Sequence, residues 1–294
     1  MQMRLKGAML AVAVAGVALW LTVPTAGQGQ AAGVARNKWD SKPNLEGIWQ
    51  SLANANWDIE GSSAQPGPRP EIMGVYGAQP ASQGIVLDGP LPYKPEALKK
   101  KQQNFANRMI SKVMNDPSRY DSGDPELQCY RPGIPRANYM PFPFQIFQNP
   151  DQILFVYEYK RSMRSIYMDP SPLSKEEAPV DSWMGWHTGK WDGDTLVITS
   201  NALQNYTWLD RAGNHHSNQM TVVERWTPRG ANHINYEATI TDPEIFTRPW
   251  KMGFPVYRRL EPNVQLLEFN CVPFVEELMY GPLGLYKPQP RYPK

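Results

Sequence analysis

"MTVVERW", residues 220–226, carries the alternation from which the architecture follows. In an extended chain Met220, Val222, Glu224 and Trp226 fall on one face, and Thr221, Val223 and Arg225 on the other. A period of two, carried by β-branched and aromatic residues, predicts a strand. The wrong note is Glu224, a carboxylate between a valine and a tryptophan on the face that should be buried. Burying a charge without a partner is expensive. Glu224 must therefore be paired, be protonated, or face a polar cavity.

The same period runs through the region 141–272, in "FQIFQ" (144–148), "ILFVYEY" (153–159), "MRSIYMD" (163–169), "GWHTGKW" (185–191), "DTLVITS" (194–200), "HINYEATI" (233–240), "VYRRLE" (256–261) and "QLLEFN" (265–270). Between them, "NPDQ" (149–152), "DGD" (192–194) and "EPNV" (261–264) supply hairpin turns. Short strands joined by short turns make an antiparallel meander. With no second layer of helices to cover it, such a sheet must close on itself to bury a face. The expectation is an all-β domain, an antiparallel meander closed into a lipocalin-like barrel. An early run, "NLEGIWQ" (44–50), adds a strand, and its Gly47-Ile48-Trp49 resembles the Gly-x-Trp of a lipocalin first strand, where the indole plugs the barrel floor.

Around this body lie three other segments. Residues 61–95 hold seven prolines and six glycines and predict an irregular arm draped over the barrel. Residues 95–114 predict the one helix, with Pro95 in its first turn and Leu98, Phe105, Met109, Ile110 and Val113 at helical spacing. The tail, 273–294, carries five prolines. At the other end, Arg4 and Lys6 precede an apolar run from Ala8 to Val23 and then small residues, the layout of a secretory signal peptide over residues 1–31. Residues 32–294 then form a single domain, expected to be periplasmic or secreted and, once the leader is cleaved, not stably inserted in a membrane. Without Arg4 and Lys6 the chain has 28 basic and 28 acidic side chains, a balance with no electrostatic footprint for nucleic acid. Cys129 and Cys271 are either a disulfide, as an even count in an exported chain suggests, or two buried thiols.

Candidate site residues follow from the two faces. Glu158, Arg164, Glu224 and Glu268 recur at the ends of apolar rows beside Tyr167 and Tyr236. Two readings stay open for them. They form ion pairs that fix strand register, or they line a pocket where burial makes a carboxyl a useful acid or base. The loop "NYTWLDRAGNHHSNQM" (205–220) adds Trp208, Asp210 and His216 at the barrel mouth. Asp210 could orient His216 for proton transfer, or cap a turn while the histidines do nothing. There is no H-E-x-x-H, H-x-H or cysteine pair at zinc spacing, no G-x-S-x-G, no P-loop and no G-x-G-x-x-G, so neither a metal nor an organic cofactor is expected.

The blocks "CYRPGIPR" (129–136), "PFQIFQNPDQILFVYEY", "RSIYMD", "WMGWHTGKWDGDTLVI", "TWLDRAGNHHSNQMTVVERW", "TDPEIFTRPW" and "LLEFNC" together resemble a large group of uncharacterised exported proteins of environmental bacteria, over residues 124–272. The resemblance implies export and a β-rich body. His187 and the missing acid after His216-Ser217 depart from that group's pattern. It implies no activity. The sequence therefore leaves three functions open: a cofactor-independent lyase, isomerase or hydrolase using Glu224 and His216; a carrier of a small apolar or aromatic molecule; and a structural protein.

Overall fold

The computed structural model describes residues 33–67, 70, 77–108, 123–178, 180–273 and 275. The expected leader, the helix beyond residue 108 and nearly all of the tail lie outside them. The strands are β1 (Gly47–Ser51), β2 (Gln65–Pro66), β3 (Ala78–Gln79), β4 (Phe144–Gln148), β5 (Gln152–Tyr157), β6 (Met163–Met168), β7 (Trp186–Asp192), β8 (Thr195–Asn201), β9 (Thr221–Pro228), β10 (His233–Thr241) and β11 (Trp250–Arg258). Among the described residues the one α-helix is α1 (Pro95–Asn107).

Nine strands close into a barrel in which β4 to β11 follow chain order and β1 fits between β11 and β4. A closed ring can be antiparallel at every joint only if its strand count is even. Nine strands force one parallel joint, and it falls between β6 and β7, where Ile166 pairs with His187, Tyr167 with Thr188 and Met168 with Gly189. Parallel neighbours need a long crossover, here supplied by residues 169–185. The other eight joints are antiparallel.

The alternation read from the sequence holds. Val222, Glu224 and Trp226 of β9 point inward, as do Ile234, Tyr236, Ala238 and Ile240 of β10. The inward rows form one aromatic and aliphatic core, with Phe144, Phe155, Tyr157, Trp226 and Tyr236 in mutual ring contact. One end of the barrel is closed by tight turns at 149–151, 193–194 and 229–232. There Trp49 is buried, its Nε1–H donating to the Leu45 carbonyl at 2.8 Å and Arg258 lying over its ring at 4.2 Å. The opposite end is loop-rich, carrying residues 158–162, 182–185, 202–220 and 242–249.

Among its described residues the arm is irregular apart from the short β2–β3 pair. It runs beside β11 where β1 does not reach: Leu87 N–H donates to the Lys251 carbonyl and Gly253 N–H to the Ile85 carbonyl, each at 2.9 Å. The helix presents a different face from the expected one. Ala97 and Asn104 are buried and Leu98 is exposed, because α1 lies on the 210–216 loop, where Asn104 donates to the Gly213 carbonyl. Gly213 has φ +86, and a Cβ there would meet the Phe105 nitrogen at 2.7 Å, so this approach requires glycine. Cys129 and Cys271 form a disulfide across a sequence separation of 142. "QLLEFN" is not a strand: residues 264–272 have no regular structure.

Candidate functional site

The Glu224 carboxylate lies inside the barrel, and it is fully partnered. Arg164 grips it twice, Nη1 to Oε2 at 2.6 Å and Nη2 to Oε1 at 3.2 Å. Asn138 and the Tyr236 hydroxyl also donate to Oε1, at 2.8 and 3.1 Å, and the Ser200 hydroxyl to Oε2 at 3.3 Å. Tyr157 holds Asn138 in turn, its hydroxyl donating to Oδ1 at 2.7 Å. Both charged side chains of the pair are 0% exposed. Burial alone would lower the Arg164 pKa, but the Glu224 charge outweighs it and raises the value, and the guanidinium also stacks over Phe155 at 4.5 Å. An ion pair is therefore present, but it joins β6 to β9, which are not neighbours in the ring, so it ties the barrel across its interior and fixes no strand register.

From this pair the network leads outward. His187 Nδ1 is 2.8 Å from the Ser200 hydroxyl. With that hydroxyl donating to Glu224, Nδ1 carries the proton and Nε2 keeps its lone pair. Burial and the Arg164 charge hold the imidazole pKa well below its usual value, against a small opposing effect of the Met184 carbonyl. His187 is thus neutral at pH 7.

His187 and Arg164 meet a cleft of about 240 Å³ at the loop-rich end, lined also by Arg131, Met163, Ser165, Tyr167, Ser182, Trp183, Met184, Gly185 and Trp186. The cleft follows from the parallel joint. Pairing between β6 and β7 begins at Ile166 and His187, so Met163–Ser165 have no ladder partner on that side, and the crossover stands across the gap. Three buried polar atoms of the lining have no hydrogen-bond partner: Arg164 Nε, Trp186 Nε1 and His187 Nε2. Native proteins rarely leave such groups unpaired; here all three lie buried behind the cleft surface, in residues of its lining.

The expected site residues divide. The structure brings Glu224, Arg164 and Tyr236 together; Tyr167, on the other face of β6, lines the cleft against Trp186 at 4.9 Å. It removes Glu158 and Glu268 from the interior. At Glu158 the backbone leaves the strand for a helical turn (φ −60, ψ −45), so alternation stops and its carboxylate accepts from the Leu267 N–H on the outside. Glu268 lies in the irregular segment and pairs on the surface with Arg161.

The expected Asp210–His216 couple is also absent as a couple. Asp210 is buried but accepts from the N–H groups of Ile59 and Asn214 and from the Asn214 amide. Burial pushes its pKa up to about 7 against the pull of those donors. His216 spends both nitrogens elsewhere, on the Thr207 hydroxyl and the Ser217 carbonyl, each at 2.8 Å, and burial lowers its pKa. Both residues fasten the loop. Trp208 is buried behind a separate cleft with Tyr130, Trp183 and Tyr206. Sequence reasoning missed Ser200 and Asn138. Ser200 had a signal, since it ends the inward row Leu196, Ile198, Ser200 as Glu224 interrupts its own. Asn138, in a single turn (Arg136–Asn138), had none.

Beneath that loop a second ionic network is buried. Arg136 holds Asp124 with two bonds, at 2.9 and 2.8 Å, and Glu126 at 2.7 Å, while Arg211 grips Glu126 at 2.8 and 3.0 Å. Burial alone would raise the Glu126 pKa; Arg211 and Arg136 overcome it and hold the value at about 2. Among the described residues no group of three His, Cys, Asp or Glu side chains could hold a metal ion. No protein-family model, no curated protein and no solved structure matches this chain.

Proposed function

We propose that this chain is an exported barrel protein that binds a small, largely aromatic molecule in the cleft at the β6–β7 joint and transfers a proton to or from it through His187. The single observation that supports this reading is a cleft whose lining residues Arg164, Trp186 and His187 each hold a buried nitrogen without a partner. A neutral imidazole whose Nδ1–H is anchored by Ser200 presents Nε2 as a base. Glu224, which the sequence suggested as the proton carrier, has no free valence for it and acts by positioning Arg164 and Ser200. The reaction class is cofactor-independent acid–base chemistry: elimination, isomerisation or hydrolysis.

Export rests on the leader read in residues 1–31 and agrees with the disulfide, a bond that persists in oxidising compartments. The barrel wall carries Lys190, Arg225, Glu237 and Lys251 outward and apolar rows inward, the reverse of a lipid-facing barrel. A second reading, a carrier without chemistry, is favoured by one observation: the Arg164 charge beside His187 opposes formation of an imidazolium.

Native mass spectrometry of the exported protein identifies the molecule it retains. Ser165→Trp, which fills the cleft from its wall, should abolish retention; retention by that variant places the site elsewhere. His187→Gln should lower turnover of the retained molecule by about 10²-fold or more with affinity little changed. Equal turnover in the two proteins removes His187 as the base. Because its pKa is lowered, His187 stays neutral in mildly acidic solution, so turnover should persist below pH 6.5, where a free imidazole would be protonated.

A further inference from the structure

Resting on the cleft assignment above, a more specific conclusion concerns the charge of the guest. We infer that the cleft takes a monoanionic aromatic carboxylate, its carboxylate held by Arg131 and its ring set among Tyr167, Trp183 and Trp186.

Among the described residues the lining contains two arginines and a histidine and no Asp or Glu. Of these cations, Arg164 is already neutralised by Glu224, and burial keeps His187 neutral. Arg131 is different. It is exposed at the cleft, and its side chain has no ion pair or hydrogen bond among the described residues. Among the described residues the lining therefore carries one positive charge without a partner. That charge matches a single negative charge and not two.

Arg131 narrows the chemistry further. A guest that pairs with its guanidinium must bring acceptors, and a carboxylate brings two oxygens with about four lone-pair directions. The planar guanidinium fork of Arg131 fits a carboxylate edge with two bonds. The remaining walls are flat and apolar: Tyr167 and Trp186 have ring centroids 4.9 Å apart, and Trp183 stands on the facing crossover. A volume of about 240 Å³ lies just below the ~300–1,000 Å³ of pockets for drug-sized ligands, which suits one ring and not a fused system.

Three commercial probes of nearly one shape test this: benzoate, its neutral isostere benzamide, and the dianion phenyl phosphate, titrated against the wild-type protein by tryptophan fluorescence and calorimetry. Benzoate should bind at least tenfold more tightly than either of the others. Arg131→Gln, a surface change that leaves the fold intact, should abolish that preference while leaving benzamide affinity within about twofold. Benzamide binding as tightly as benzoate, or phenyl phosphate binding more tightly, overturns the inference about charge. The Ser165→Trp variant separates that failure from a failure of the site. If it blocks all three probes, the cleft stands and only the carboxylate is wrong. If it blocks none, or no probe binds the wild-type protein, the cleft reading falls and this inference with it.

Discussion

Glu224→Gln is the substitution with the most at stake, because it removes one charge from a pair whose side chains are both 0% exposed. Taking one partner out of a buried pair costs about 3–5 kcal/mol, since the other charge is left without compensation. Geometry adds to this. Oε1 accepts from Asn138, Tyr236 and Arg164, and Oε2 from Arg164 and Ser200. Either way round, the glutamine NH₂ points at a guanidinium donor. At roughly 2–4 °C per kcal/mol for a domain of this size, the melting temperature should fall by about 6–20 °C. The assay is urea unfolding followed by tryptophan fluorescence, on the wild type, Glu224→Gln, Arg164→Met and the double variant. Removing both charges ends the uncompensated burial, so the double variant should be more stable than the sum of the singles requires, by about 2–3 kcal/mol. A single variant within about 1 kcal/mol of wild type, together with additive behaviour in the cycle, would refute the view that this pair holds β6 to β9.

Two further outcomes follow from other parts of the fold. The folded Glu126 pKa, about 2, lies below the unperturbed 4.5, so its network is fully stabilising above pH 4.5 and loses that contribution as pH falls toward 2. Glu126→Gln should therefore be less stable than wild type at pH 7, with the gap narrowing between pH 4.5 and 2; a gap that stays constant with pH contradicts the assignment. Replacing Cys129 and Cys271 with serine opens a loop of 142 residues, which chain entropy values at about 5 kcal/mol at 25 °C. Urea midpoints of the oxidised and substituted proteins measure it, and a loss under about 1 kcal/mol would show that the unfolded chain is already restrained.

The barrel was legible because alternation is a local property. Each of Val222, Glu224 and Trp226 reports its face without knowledge of any partner strand. Arg164, Glu224 and Tyr236 were legible for the same reason, as polar interruptions of inward rows. Glu158 misled because its row ends one residue earlier, when the backbone turns helical at the residue itself. Asp210 and His216 misled through proximity in sequence. Asp210 finds its partner at Ile59, 151 residues away, and His216 finds Thr207. The parallel joint was hidden in strand count. "QLLEFN" alternates like a strand without forming one, and the position of β1 in the ring is set by pairing between distant segments. The cleft depends on that joint.

An odd ring of alternating arrows resembles an odd ring of antiferromagnetic spins: the mismatch can migrate but cannot vanish. Deleting β1 gives eight strands, yet β4 and β11 both run opposite to β1, so they would meet pointing the same way and create a second mismatch. Deleting β7 instead brings β6 against β8, which run in opposite directions, and every joint is then satisfied. An even-numbered descendant made that way would be a more regular barrel, and it would have lost the opening, the imidazole and whatever depends on them.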